Sequence, residues 1–215
     1  MDDPGKRSRE RSDTHRAEGF SDAVFAISIT LLVLDLKPPA VQAGELRAGL
    51  SQEWPAYLAY ATSFLYIAVV WLAHEEVFGH VRWMDRGLHW ANLGILFTTA
   101  VMPFPTAVVS DAIRRHDPVD GRAAVVLYAV AGLMLCASWL IFLRYLRRRP
   151  WLLEEGVGTG FLDRIAARLR IAFVLYPTAA VLGHLAGPRV ALLLFFALPV
   201  VNGGLYRLGV VARRT

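Results

Sequence analysis

Arg16-Ala-Glu-Gly-Phe20-Ser21-Asp22-Ala-Val-Phe-Ala-Ile27-Ser-Ile-Thr30-Leu31-Leu-Val-Leu34-Asp-Leu36 is the stretch on which the fold turns. Residues 19–36 are long and apolar enough to cross a bilayer core about 30 Å thick, which takes about 20 residues of helix. The same residues include Ser21, Asp22, Ser28, Thr30 and Asp35. A carboxylate inside a span costs free energy unless it is paired or wet, so Asp22 marks a candidate functional position. On a helical wheel at roughly 100° per residue, Phe20, Ala23, Ile27, Leu31 and Leu34 fall within about 40° of Ile27, and Thr30 flanks them at about 60°. Asp22 lies about 140° away with Phe25 and Ile29. The helix therefore has an aliphatic stripe punctuated by one hydroxyl, and an acidic position on its back.

Working outward, residues 54–73, 88–109 and 123–143 contain no Asp, Glu, Lys or Arg, which is the strong form of the membrane-span signal. Residues 171–186 are short unless the helix begins near Ile165, and residues 190–211 hold Arg207 near their end, where it can snorkel to the headgroups. The reading is an all-α polytopic membrane protein with six transmembrane helices per subunit, against a rival of five spans and a surface helix. Residues 1–15 read as a mobile cytoplasmic tail, 16–212 as one transmembrane domain and 213–215 as a cytoplasmic end. With 215 residues, 55% of them hydrophobic and only 19% charged, the chain is too apolar for a soluble domain. The mean hydropathy of +0.41 agrees.

The net charge of +5 raises the question of nucleic acid, and placement answers it. With the N-terminus inside and six spans, 17 of the 23 basic residues fall on the cytoplasmic side and 6 outside. That bias reads as orientation in a cell membrane, both termini cytoplasmic, and not as a nucleic-acid footprint. The run Arg144, Arg147, Arg148 and Arg149 is a candidate patch for anionic lipid headgroups, or else a solvated flank.

Periodicity alone leaves the stripe of the first helix open between packing against sister helices and lining a pore. The quoted stretch, however, resembles the Arg-x-x-x-Phe-Ser-Asp first-helix signature of the transmembrane protein 175 family, the endolysosomal potassium channels and their prokaryotic relatives. Trp71, His74, Asp85, Asn92 and Pro103-Phe104 follow in an order and spacing similar to that family's next two helices, so the resemblance covers roughly residues 16–110. It implies a passive potassium-selective channel, a homotetramer of six-span subunits whose first helices line the pore. It implies that Ile27, Leu31 and Leu34 form the constriction and that Thr30 contributes to selectivity for the permeant potassium ion. It also implies a polar network joining Arg16, Phe20, Ser21 and Asp22 to Trp71, His74 and Asn92. Ser28 departs from the pattern, in which alanine is expected, and points about 100° from Ile27 towards a helix interface.

The residues support that picture by what they omit. No Thr-Val-Gly-Tyr-Gly run offers a carbonyl-lined filter. One copy of a pore helix cannot enclose a conduit, so a channel would require identical subunits around an axis. As donors to Asp22, His74 and Asn92 are the first candidates, and Trp71 can give one indole hydrogen bond. Arg16 projects near the stripe at the cytoplasmic mouth.

Enzyme motifs are weak, and no cofactor or metal is expected. His74-Glu75-Glu76-Val-Phe-Gly-His80 places its histidines six apart, not four, so they do not share a helix face. Gly156-Val-Gly158-Thr-Gly160 lacks dinucleotide spacing, and the single cysteine, Cys136, sits in mid-span. Gly183-His-Leu-Ala-Gly187 has the small-xxx-small spacing of packed helices. The principal rival function is a secondary transporter or proton-coupled carrier using Asp22 and His74 as a relay.

Overall fold

A computed structural model describes residues 4–115 and 117–211, with side chains from 14 to 115 and from 117 to 201. Among them the chain forms eight α-helices: α1 (Pro4–Leu31), α2 (Leu46–Gln52), α3 (Trp54–Phe78), α4 (Arg86–Val101), α5 (Pro103–Arg114), α6 (Pro118–Arg147), α7 (Gly160–Ala186) and α8 (Pro188–Val211). No sheet forms among the described residues, as a lipid environment requires of any chain that cannot close a barrel. One isolated bridge, Val81 to Leu153, lies in the connections.

Five units are long and apolar enough to cross a membrane: Thr14–Asp35, Trp54–Phe78, Arg86–Arg114, Pro118–Arg147 and Gly160–Ala186. The apolar part of α8 among the described side chains, Pro188–Val201, is shorter. The third unit is α4 and α5 together, because Pro103 has no N–H to continue the ladder. Met102 instead closes a tighter turn through its N–H to the Thr99 carbonyl at 3.0 Å, and α5 restarts on the proline. Acidic caps set two starts. Asp85 accepts from the Leu88 N–H at 2.7 Å, and Asp117 accepts from Val119 and Asp120 at 2.7 and 3.1 Å.

Two ends carry detail that the sequence reading did not give. Residues 4–15 continue α1 as helix, since each residue added to an established helix gains a hydrogen bond without a new nucleation cost. Residues 1–3 and 213–215 lie outside the described residues. Gly183 and Gly187 also divide their roles. Gly183 lets α7 approach Ala191 of α8, whereas Gly187, at φ 105°, ends α7 and feeds Pro188.

The connections sort onto two faces. On one, the Thr14 hydroxyl reaches the Arg82 carbonyl at 3.4 Å, Arg82 N–H donates to Leu152 at 2.8 Å, and Glu154 N–H donates to His80 at 3.0 Å. The Thr14 level of α1, the α3–α4 turn and the α6–α7 connection thus share an end. At the other end Arg114 meets Glu53 at 3.3 Å and Asp111 at 3.2 Å. Between the two faces the core is apolar and aromatic, with Phe25, Ile67, Leu88, Ile95, Trp139, Phe142 and Tyr176 buried. A hydroxyl cluster sits inside it at the Pro103 break, where Ser63 bonds Thr106 at 2.6 Å and Tyr128 at 2.9 Å.

Candidate functional site

The first helix divides into two faces at helical spacing. Thr14, Ser21, Phe25, Ser28 and Leu32 are buried against the rest of the subunit. Ser21 and Ser28 return their protons to the Ala17 and Val24 carbonyls, both at 2.7 Å, so these small polar residues let the helix pack closely without orphaned groups. Ser28 is thereby off the aliphatic stripe, as its wheel position required.

The stripe itself is bare. Ile27 is 57% exposed and Leu34 67% exposed, with Phe20, Ala23, Thr30 and Leu31 also open. The helix ends in a 3-10 turn, Leu32–Asp35, which the sequence did not disclose. In such a turn residues i and i+3 eclipse, so Leu34 is drawn into line with Leu31. Ile27, Leu31 and Leu34 then form three layers roughly 6 Å apart, from a rise of about 1.5 Å per residue in α-helix and about 2.0 Å in the 3-10 turn. Beside them the Thr30 hydroxyl donates to the Ile27 carbonyl at 2.9 Å. Its proton is held by the backbone, and its oxygen lone pairs remain open on the exposed face.

Behind the stripe lie two separate polar sets. His74 Nε2 and Asn92 Oδ1 are 2.9 Å apart, and Asn92 Nδ2 donates to Ser21 Oγ at 2.9 Å. Because Asn92 presents its oxygen to the ring, His74 carries its proton on Nε2, and the ladder runs in one direction from His74 through Asn92 and Ser21 to the Ala17 carbonyl. His74 is buried between Phe78, stacked at 4.1 Å, and the edges of Phe25 and Trp139 at 5.2 and 6.2 Å. Its Nδ1 has no hydrogen-bond partner among the described residues. The ladder joins α1, α3 and α4 at one level.

Asp22 belongs to the other set. Its Oδ1 accepts from Trp71 Nε1 at 2.9 Å, so the third of the candidate donors is the one that serves. The reason is rotational: Ser21 points into the α3–α4 interface, and Asp22, one residue round, comes out at its exposed margin. Arg16 and Phe20 are exposed and join neither set among the described residues. No hydrogen bond links Asp22 to His74, which a proton relay between them would use.

Sequence reasoning passed over a third cluster. Asp85, besides capping α4, accepts from the Tyr145 hydroxyl at 2.8 and 2.7 Å, and Arg149 lies 3.8 Å from it and 4.0 Å over the Tyr145 ring. Asp85 itself stood out in the sequence, by its place ahead of an apolar run and by the family spacing, but nothing local pointed to Tyr145 and Arg149 as its partners. No group of three or more potential metal ligands occurs among the described residues.

Known proteins are similar to this chain in sequence and in fold. Residues 16–103 match the family described as endosomal/lysosomal potassium channel TMEM175. A potassium channel of Streptomyces collinus is 38% identical over 181 residues, covering 82% of this chain and 85% of that one. The crystal structure of a lysosomal potassium-selective channel TMEM175 homolog from Chamaesiphon minutus superposes with a TM-score of 0.73 at 31% identity, over 89% of this chain and 97% of that one. The human endosomal/lysosomal proton channel TMEM175 is 30% identical over 178 residues, which is 78% of this chain but 34% of the human protein.

Proposed function

The chain belongs to the TMEM175 family, and from that premise we propose that it is a subunit of a homotetrameric, potassium-selective channel whose pore is lined by α1. It is a membrane channel and not an enzyme. The observation that carries the pore reading is the bare stripe of Phe20, Ile27, Leu31 and Leu34 on a helix whose opposite face is packed through serines. A helix meant only to face lipid needs no Thr30 oxygen on its open side. In a ring of subunits, Ile27, Leu31 and Leu34 would form successive apolar constrictions that gate by dewetting, and Thr30 would offer a ring of acceptor oxygens to a partly dehydrated cation. Asp22, Ser21, Trp71, His74 and Asn92 hold α1 against α3 and α4 from behind, and Arg16 and Phe20, exposed and outside both polar sets among the described residues, would meet a neighbouring copy.

The sixth span of this reading is α8, whose helix is 24 residues long. The face bearing Thr14 of α1, the α3–α4 turn and the α6–α7 connection is the basic one, and we place it in the cytoplasm of a cell membrane, with both termini. Anionic headgroups are its proposed lipid partners.

Potassium efflux from liposomes tests the function against the carrier alternative. A channel gives flux proportional to the driving force, with no need of a proton gradient. Flux that saturates and follows an imposed proton gradient would assign Asp22 and His74 to a coupled carrier instead.

A further inference from the structure

The basic run at the end of α6 does not act as one patch. Arg149 is engaged with Tyr145 and Asp85 in the anchor described above. Arg144 and Arg147 turn instead towards α7, where with Arg170 they line a groove of about 250 Å³ floored by Leu140, Leu143 and Leu162. Arg147 pairs there with Asp163 at 2.8 Å. Arg170 bonds the Ala166 carbonyl through Nε at 3.3 Å, and neither it nor Arg144 has a carboxylate partner among the described residues. Three guanidinium groups face one carboxylate.

The depth of the groove is legible from the sequence. Arg144 is the first charge after the uncharged residues 123–143 of α6, and Arg170 is the last before residues 171–186 of α7, which hold no Asp, Glu, Lys or Arg. The two helices run antiparallel, so both arginines border these uncharged stretches on the side nearest the α6–α7 connection, which the proposed orientation turns towards the cytoplasmic headgroups. Phosphate suits the open donors of Arg144 and Arg170, since a guanidinium fork matches it bidentately. Three residues before Arg144 and four after Arg170, Ile141 and Val174 are exposed apolar side chains on the same two helices, suited to acyl chains that a free ion would not need.

We propose that the α6–α7 groove binds the phosphate of an anionic phospholipid between Arg144 and Arg170, with Arg147 held beside it by Asp163. The site rests on the orientation given above for its cytoplasmic placement, and not on the conduction mechanism. Its occupant would tie α6 to α7 near the connection that joins them, at the end away from the α7–α8 turn.

The test is lipid retention. The full-length protein is reconstituted into phosphatidylcholine vesicles containing phosphatidylglycerol, extracted into detergent and weighed by native mass spectrometry, with potassium efflux measured in parallel. Wild type is expected to keep phosphatidylglycerol in preference to phosphatidylcholine. Arg144→Gln with Arg170→Gln should reduce that retention about tenfold, whereas Arg148→Gln with Arg164→Gln, the same charge change on the same face, should leave it. Asp163→Asn, which removes the one carboxylate, should raise retention, a gain that misfolding cannot mimic. Equal loss in the two double variants would overturn the site in favour of diffuse charge. Retention lowered by Asp163→Asn, or abolished by inorganic phosphate, would overturn the lipid assignment. Efflux reports separately on the channel reading.

Discussion

Thr30 commits its proton to the Ile27 carbonyl and turns its oxygen outward, which is the state a cation ligand needs. Valine has the same shape but no lone pair, so Thr30→Val should preserve assembly while shifting the reversal potential in mixed potassium and sodium solutions towards lower potassium preference. An unchanged reversal potential would remove Thr30 from the selectivity mechanism. At this scale the sequence was informative where a single helix decides the matter. The 3.6-residue period alone separated the stripe from the buried Ser28. It was uninformative where two helices meet, because a wheel says which way Asp22 points and not that Trp71, rather than His74 or Asn92, stands opposite.

Three elements are fastened by the ladder from His74 through Asn92 to Ser21. Asn92→Leu keeps the branched side-chain skeleton but strands a histidine N–H in the core, a loss of about 1 kcal/mol for a buried hydrogen bond of this kind. The expected result is a lower melting temperature in detergent with potassium selectivity unaltered, and a variant as stable as wild type would make the ladder incidental. The spans were readable because apolar length is a strong signal, but their internal breaks were not. Pro103 sits within an uncharged run and announces a kink, yet nothing local shows that Ser63, Thr106 and Tyr128 gather there from α3, α5 and α6. The 3-10 end of α1 likewise depends on where Leu32 is buried, a tertiary fact.

For the whole molecule, the two faces defined by hydrogen bonds between connections coincide with the two sides inferred from charge. The lone cysteine, Cys136, is 1% exposed, so the chain is close to a cysteine-free background for labelling. Arg47→Cys should react with an impermeant maleimide added outside intact cells, and Arg82→Cys only after the membrane is opened. The reverse pattern would invert the orientation. Assembly is the level at which a single chain says least, and in the proposed channel the exposed stripe is the surface that several copies would close.

The central claim is that α1 lines the conduit and that its aliphatic layers close it. Single-channel recording of Ile27→Asn against wild type in planar bilayers addresses it most directly, because a polar ring cannot dewet as an isoleucine ring does. A larger conductance or open probability is expected for the variant with potassium still permeant, and a current indistinguishable from wild type would place the constriction elsewhere.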